Sequence, residues 1–263
     1  MLTVATYTIG PAVRPPITED NGFLDYFPRR APTAGDRAVF AEWAALLEGA
    51  EAGQNVPFVP HNNLPDALPA YRHFLYGRGT DRIFSYDRYV ASDPSGKLTL
   101  QNALLDFRRG AEALAPAAAG ATTFQITGTA IACGSDDPGL SSLFPYPGTE
   151  NWQKAIGAHF IWLSGTVSLV AATPVPSFSA LFTLHAEDRY NFNPGAHDIT
   201  TGIPDDANGR FELTGLAQQY TNYAVLVRTV AWTGATAASE VVKRISDSRD
   251  RKPQDNRRLR NRT

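Results

Sequence analysis

Apolar residues recur at helical spacing in three segments of the first half of the chain. The first segment runs from Gly35 to Gly53, with Asp36 as its predicted N-cap and Gly53 as its end. Two more helices are predicted within residues 62–79 and 98–114. The residues before them are rich in proline, glycine and polar side chains, which predicts an extended arm with little regular structure.

From about Thr122 onward the pattern changes to alternating positions rich in β-branched residues, which is typical of strands. Strands are predicted within residues 122–134, 156–163, 165–172, 178–186 and 222–232. The second and third of these are predicted to form a hairpin that turns at Ser164-Gly165. Helices followed by strands predict an α+β fold, with a mostly antiparallel, curved or half-barrel sheet.

The same patterns divide the chain into four regions: an extended arm at 1–35, a helical region at 36–118, an antiparallel β region at 119–236, and a basic tail at 237–263. The β region is expected to contain one helix, starting near Arg210. The tail is predicted to be partly helical and then disordered. It is expected to be a solvated end, with contact to anionic surfaces as the alternative. It lacks the interleaved aromatic residues that specific nucleic-acid binding needs.

Composition excludes several classes of protein. The formal net charge of -2 argues against a general polyanion binder, and a single cysteine, Cys133, excludes an internal disulfide framework. The first residues do not resemble a Sec signal peptide. The long apolar segment 155–172 is interrupted by polar residues and glycine, so no membrane span is predicted. We expect synthesis in the cytoplasm, with release or delivery to the periplasm of a target cell left open.

Candidate chemistry is concentrated in "EDRYNFNPGAHD", residues 187–198. Asp188 falls where a strand ends, and Tyr190 is expected on the same side of it. With His197, these residues offer a carboxylate, a phenol and an imidazole, which together can bind a divalent ion, orient water and transfer protons. Asparagine, aspartate and glycine also favour turns, so the residues alone leave a structural turn open. A Ca²⁺ loop within 198–210 is a minor alternative.

The segment resembles the catalytic motif of the colicin M family, Asp-x-Tyr-Asp, five residues, then His-Arg. Asp188, Tyr190 and His197 match this pattern at the same spacing. The segments 70–82 and 213–232 are similar to the helix-plus-turn before the motif and to the closing helix and strand of the family. The order of elements fits from about Asn63 to Trp232.

The resemblance implies a toxin that hydrolyses a phosphoester of lipid II, or of a related lipid-linked pyrophosphate, at a membrane surface. It implies dependence on Mg²⁺, with Asp188 as a metal ligand and Asp188, Tyr190 and His197 as catalytic residues. Ca²⁺, or no metal at all, is left open. An immunity protein is a further partner that the family implies.

Two positions depart from the family pattern. Asn191 stands where the family has aspartate, and Asp198 stands where it has arginine, so a carboxylate and a cation are lost. One hypothesis is that nearby residues rebuild the site, with Arg210 as the cation and Asp198 or Asp205 as the carboxylate. The other is a catalytically inactive or repurposed binding or structural protein. The supporting residues considered are Asn191, Asn193, Asp198, Asp205 and Arg210.

Overall fold

The computed structural model describes residues 3–19, 21–118, 122–171 and 176–234. The elements in chain order are β1 (Tyr7–Ile9), α1 (Phe23–Tyr26), α2 (Ala34–Ala52), α3 (Ala67–Tyr76), β2 (Arg82–Ile83), α4 (Tyr86–Ser92), α5 (Pro94–Leu114), β3 (Thr123–Gly128), β4 (Ile131–Cys133), α6 (Pro138–Leu143), α7 (Glu150–Ala155), β5 (His159–Ala171), β6 (Ser177–Tyr190), α8 (Asp206–Thr214) and β7 (Tyr220–Thr233). A 3₁₀ helix, Ala115–Ala118, follows α5. The basic tail predicted at 237–263 lies outside the described residues.

The strands form one open sheet in the order β1-β3-β5-β6-β7-β2, and β4 pairs with the beginning of β5. Among the described residues, every strand pairing is antiparallel except the short one between β2 and β7. The predicted α+β class is therefore confirmed, and the sheet does not close into a barrel. In the described part of the chain, no helix is both long and apolar enough to cross a bilayer.

The main core lies between α5 and one face of the sheet. Even-numbered side chains of β6 face this core, and Phe182 and Leu184 are fully buried there. Phe107 of α5 packs edge-on against Phe182, with ring centroids 5.1 Å apart. Because side chains alternate along a strand, Asp188 and Tyr190 at the end of β6 continue the same core-facing row.

The amino-terminal arm crosses the opposite face of the sheet. Arg14 binds the buried carboxylate of Glu187 on β6, and its Nε lies 2.8 Å from one carboxylate oxygen. The Thr127 hydroxyl of β3 donates a hydrogen bond to the Val13 carbonyl. The arm contains more regular structure than predicted, since β1 pairs with β3 and the helix α1 buries Phe23.

A second apolar cluster lies beyond the end of β6, where α2, α3 and α8 pack together. Its buried members include Phe23, Leu47, Leu64, Leu68, Phe74, Phe192, Phe211 and Tyr220. The candidate motif follows β6 directly, so it lies where this second cluster meets the main core.

The predicted hairpin at Ser164-Gly165 is wrong, because β5 runs through these residues without a turn. Gly165 pairs with Ile126 of β3 and with Phe182 of β6. A Cβ atom on Gly165 would lie 2.6 Å from the Leu181 carbonyl oxygen and 2.7 Å from the Phe107 ring. Glycine is thus required here for close packing of α5 on the sheet, and not for chain reversal.

The start of α2 also differs from the prediction. Its N-cap is Thr33, whose hydroxyl accepts a hydrogen bond from the Asp36 amide at 3.2 Å. The Asp36 carboxylate accepts in return from the Thr33 amide at 2.8 Å. Asp36 is therefore the third helical residue of a capping box. Gly53 follows the last residue of α2 and is its C-cap, as predicted.

The predicted start of α8 near Arg210 is four residues late, because the helix begins at Asp206. Gly209 is therefore helical and does not belong to a turn. A Cβ atom on Gly209 would lie 2.1 Å from the Phe23 ring. The glycine lets α1 pack closely against α8.

We expect Gly165→Ala to destabilise the protein by about 1–3 kcal/mol, because the added methyl group meets backbone and a buried ring. Gly49→Ala in α2 is the matched control, since nothing lies within 4 Å of its Cβ position. That control should gain about 0.5–1 kcal/mol from helix propensity. Chemical denaturation measures both, and an unchanged Gly165→Ala variant would contradict this account of β5.

Acid should destabilise the fold through His159. This residue is 1% exposed, and burial lowers the pKa of its imidazole from 6.5 to about 4. Below pH 6.5 the unfolded chain therefore binds a proton that the folded chain does not, and stability falls as the pH drops towards 4. The loss should reach about 3 kcal/mol. Burial also lowers the pKa of His185 to about 4, so that residue contributes in the same pH range. His159→Gln should therefore make this part of the stability–pH curve less steep without removing its slope, and an equally steep curve in that variant would refute the assignment.

Candidate functional site

Asp188 and Tyr190 line one small polar cavity at the end of β6, together with Asn191, Asn193 and Lys154. The cavity has a volume of about 40 Å³. Asp188 is 5% exposed, so its carboxylate is a buried polar group that needs partners.

The Asp188 carboxylate is fixed by Asn222 on the neighbouring strand β7. Asn222 is fully buried and pairs directly across from Asp188. Its Nδ2 donates to Asp188 Oδ2 at 3.1 Å and to the Ala155 carbonyl at 3.2 Å, and its Oδ1 accepts from Arg82 at 3.2 Å. Sequence reasoning missed this residue. The signal in the sequence was the single amide side chain of Asn222, which begins the apolar strand predicted at residues 222–232.

Tyr190 is held by aromatic packing at the edge of the second cluster. Its ring stacks on Tyr220 with centroids 5.0 Å apart, and it also contacts Phe74 and Phe192. Burial raises the pKa of the Tyr220 phenol, whose hydroxyl donates to the Ala70 carbonyl at 2.9 Å. Tyr190 therefore sits on a rigid aromatic support.

The Asn191 side chain ties the amino-terminal arm to the end of β6. In the amide orientation that satisfies both of its atoms, the nitrogen donates to the Arg189 carbonyl at 3.0 Å and the oxygen accepts from the Gly22 amide at 3.3 Å. Aspartate could accept from Gly22 but, when ionised, could not donate to the carbonyl. The amide at position 191 therefore has a structural role, because it connects the arm to the end of β6.

Two buried acidic side chains of the α8 region hold the loop after β6. The Glu212 carboxylate accepts from the Phe192 amide at 3.1 Å, and the Asp205 carboxylate accepts from the Asn193 amide at 3.2 Å. Both acids are almost fully buried. Asp205 thus contributes to the shape of the loop.

His197 and Asp198 face different sides of a short bridged segment. His197 forms an isolated antiparallel bridge with Pro204 and lines neither the cavity of Asp188 nor the larger apolar cavity beside it. Asp198 is 8% exposed, and its Oδ1 accepts from both the amide and the hydroxyl of Thr201 at 2.7 Å. Its Oδ2 lies 2.8 Å from the Lys154 amine. The structure does not bring His197 into the cavity of Asp188.

Arg210 lies away from the candidate site. Its guanidinium is 3.6 Å from Asp36 on α2, its side chain is 47% exposed, and it lines neither cavity. Two cations line the cavity of Asp188: Arg189, which belongs to the motif, and Lys154, which contacts the motif through Asp198. Sequence reasoning missed Lys154 because it comes from α7, far away in the sequence.

An apolar cavity of about 420 Å³ adjoins the polar one, and Lys154, Tyr190 and Phe192 line both. Most of its apolar lining comes from α2, α3 and the loop between them, and Phe192, Ile203 and Pro204 add to it. The residues of the first group are Trp43, Leu46, Leu47, Ala50, Leu64, Ala67, Leu68 and Tyr71. Such a volume is typical of ligand sites, which range from about 300 to 1,000 Å³. A polar cavity and an apolar one therefore share a wall at the motif.

The described residues contain no group of three or more His, Cys, Asp or Glu side chains placed to hold a metal ion. Asp188 and the amide of Asn193 nevertheless line one cavity. Mg²⁺ commonly binds one or two carboxylates together with waters and substrate phosphates. These residues fit a Mg²⁺ site of that shared kind. The alternative of a Ca²⁺ loop concerned residues 198–210. From Asp206 onward this segment is helical, so only its first part is a loop.

No protein-family model matches the chain, and no curated protein does. The solved structures that are similar to it include two bacteriocins. PaeM, a colicin M-like bacteriocin produced by Pseudomonas aeruginosa, is 15% identical, with 69% of this chain and 58% of PaeM covered and a TM-score of 0.35. Truncated bacteriocin syringacin M from Pseudomonas syringae pv. tomato DC3000 is 14% identical, with 76% and 82% covered and a TM-score of 0.33. This chain thus spans less than two thirds of the length of PaeM.

We expect Asn191→Asp to lower the stability by roughly 1 kcal/mol at pH 7, because a carboxylate would face the Arg189 carbonyl. The loss should disappear near pH 3, where the protonated carboxyl can donate again. Asn191→Ala, which removes both hydrogen bonds without adding charge, should lose the same amount of stability at both pH values. Denaturation curves at the two pH values measure this, and a pH-independent loss in Asn191→Asp would contradict the proposed amide contacts.

Proposed function

We propose that this chain is a colicin-M-like toxin that binds and hydrolyses a phosphoester of lipid II or of a related lipid-linked pyrophosphate, in a metal-dependent reaction. The observation that carries the proposal is the pair of adjoining cavities at the motif. One holds a buried carboxylate, Asp188, and the other is apolar and much larger. A ligand that joins a phosphate group to an apolar chain would place the phosphate in the polar cavity and the chain in the apolar one.

The apolar cavity supports a lipid part of the substrate. Leu46 and Ile203 line it and are 57% and 44% exposed, so the apolar lining reaches the protein surface. Phe58, in the loop between α2 and α3, is fully exposed. Exposed apolar side chains beside an apolar cavity are costly in water and favourable at a membrane surface.

The polar cavity supports the reaction at the phosphate. The water oxygen would bond to phosphorus while the ester P–O bond to the lipid breaks, and Asp188 would accept the proton of that water. The lipid would leave as an alcohol, its oxygen taking a proton from solvent. Asn222 would keep the carboxylate in place throughout. Asp188 and Asn193 would hold a Mg²⁺ ion, whose positive charge would offset the negative charge of the phosphate.

A second candidate function is binding of the same ligand without hydrolysis. Three polar side chains of the motif region, Asn191, Asp198 and Asp205, accept hydrogen bonds from backbone amides. His197 lies outside the cavity of Asp188. These contacts favour a loop whose polar residues stabilise its shape.

The full chain should release the lipid from lipid II in detergent with Mg²⁺, Mn²⁺ or Ca²⁺. Asp188→Asn keeps the shape of the side chain and should lower the rate at least about 100-fold. Arg210→Ala is the control at a charged residue outside both cavities and should leave the rate unchanged. Thermal unfolding of each variant establishes that it is folded.

The outcomes separate the two functions. Saturable binding of lipid II without turnover, with all three metals, would favour the binding protein. Absence of both binding and turnover would overturn the proposed substrate class. Equal loss of rate in Asp188→Asn and Arg210→Ala would remove the assigned role of Asp188.

A further inference from the structure

Lys154 occupies the wall between the two cavities. Of the described residues, it is the one cation whose side chain is in the lining of both the polar and the apolar cavity and also contacts the motif. It belongs to α7, and its side chain is 22% exposed. A cation at this place is next to the point where the polar and apolar parts of one ligand would join.

Two carboxylates hold the Lys154 amine in position. Asp198 lies 2.8 Å and Glu150 3.3 Å from it. Each carboxylate also has another partner: Asp198 accepts from Thr201, and Glu150 lies 2.7 Å from His61. An ammonium group has three N–H donors. The two neighbouring carboxylates can accept from at most two of these donors if each accepts one, so the amine can also donate to a ligand in the cavities.

The other cations of the site are less well placed for this role. Arg189 lines the polar cavity, but it lies 3.4 Å from Asp25 on α1 and does not line the apolar cavity. Asp188, on the same cavity as Lys154, would repel a phosphate. A cation opposite Asp188 would offset that repulsion.

We propose that Lys154 forms a phosphate subsite at the junction of the two cavities, where it binds the phosphate that is joined directly to the apolar chain of the ligand. This inference rests on the proposed function and assigns a residue and a place to its phosphate. Asp198, which replaces the arginine of the family motif, then orients a lysine that supplies the cation from another element.

Calorimetric titration of the full chain with three probes tests the subsite: decyl phosphate, decanol and inorganic pyrophosphate. Decyl phosphate should bind most tightly, since it occupies both cavities. Lys154→Gln should lower the affinity for decyl phosphate roughly 10- to 100-fold, which is the usual effect of losing a charge-assisted hydrogen bond. It should leave decanol unchanged. Lys154→Arg should restore most of the affinity, and Lys97→Gln, at an exposed lysine on α5, is the matched control.

Asp198→Asn separates ligand binding from a structural role of the ion pair. If Lys154 binds phosphate, removing the negative charge beside it should raise the affinity for decyl phosphate or leave it unchanged. If Lys154 only stabilises the loop through Asp198, both Asp198→Asn and Lys154→Gln should weaken decyl phosphate and decanol alike. That second pattern would overturn the subsite, as would unchanged decyl phosphate binding in Lys154→Gln.

The calorimetric titration and the hydrolysis assay test the subsite and the reaction separately. Lysine-dependent binding of decyl phosphate without turnover of lipid II would support the subsite and overturn the reaction. Turnover of lipid II with decyl phosphate binding that does not depend on Lys154 would support the reaction and overturn the subsite. Binding of pyrophosphate as tight as that of decyl phosphate would show that the apolar cavity takes no part, and would also overturn the subsite as proposed.

Discussion

The register between β6 and β7 is the constraint on which the site depends. The two strands pair along their whole lengths, from Ser177 opposite Thr233 to Tyr190 opposite Tyr220. A shift of one residue would turn every side chain to the other face. Asp188 would then leave the core-facing row and lose Asn222, the partner that its buried carboxylate needs. The burial of Phe182 and Leu184 opposes such a shift, so the apolar core of the sheet fixes the position of a polar group several residues away.

The sequence was sufficient for features that depend on local periodicity. Alternation along β6 predicted that Asp188 and Tyr190 would share a face, and both line the polar cavity. The change from helical to alternating patterns predicted an α+β fold, which is confirmed. The role of Gly165 was misjudged, because glycine between two apolar runs is as typical of a turn as of a close contact. The contact with Phe107 comes from a helix distant in the sequence, and no local pattern reveals it.

The two departures from the colicin M motif have physical explanations in this chain. At position 191 an amide can both donate and accept, and it uses both capacities between β6 and the arm. At position 198 a carboxylate accepts from Thr201 and pairs with Lys154. Sequence comparison alone registers these positions as a lost charge and a reversed one. The compensation attributed to Arg210 could not be judged from the sequence, because the sequence does not show that this arginine lies against Asp36 on α2 and lines neither cavity.

The short helix α7 connects the two halves of the site. Its Lys154 pairs with Asp198 on the loop, and the carbonyl of its last residue, Ala155, accepts from the Asn222 amide that holds Asp188. Trp152 on the same helix is buried in the main core. A displacement of α7 would therefore move the cation and the support of the carboxylate together. Because α7 both carries Lys154 and supports Asn222, its packing in the main core helps to position both groups, and Asp198 on the loop after β6 then holds the lysine amine.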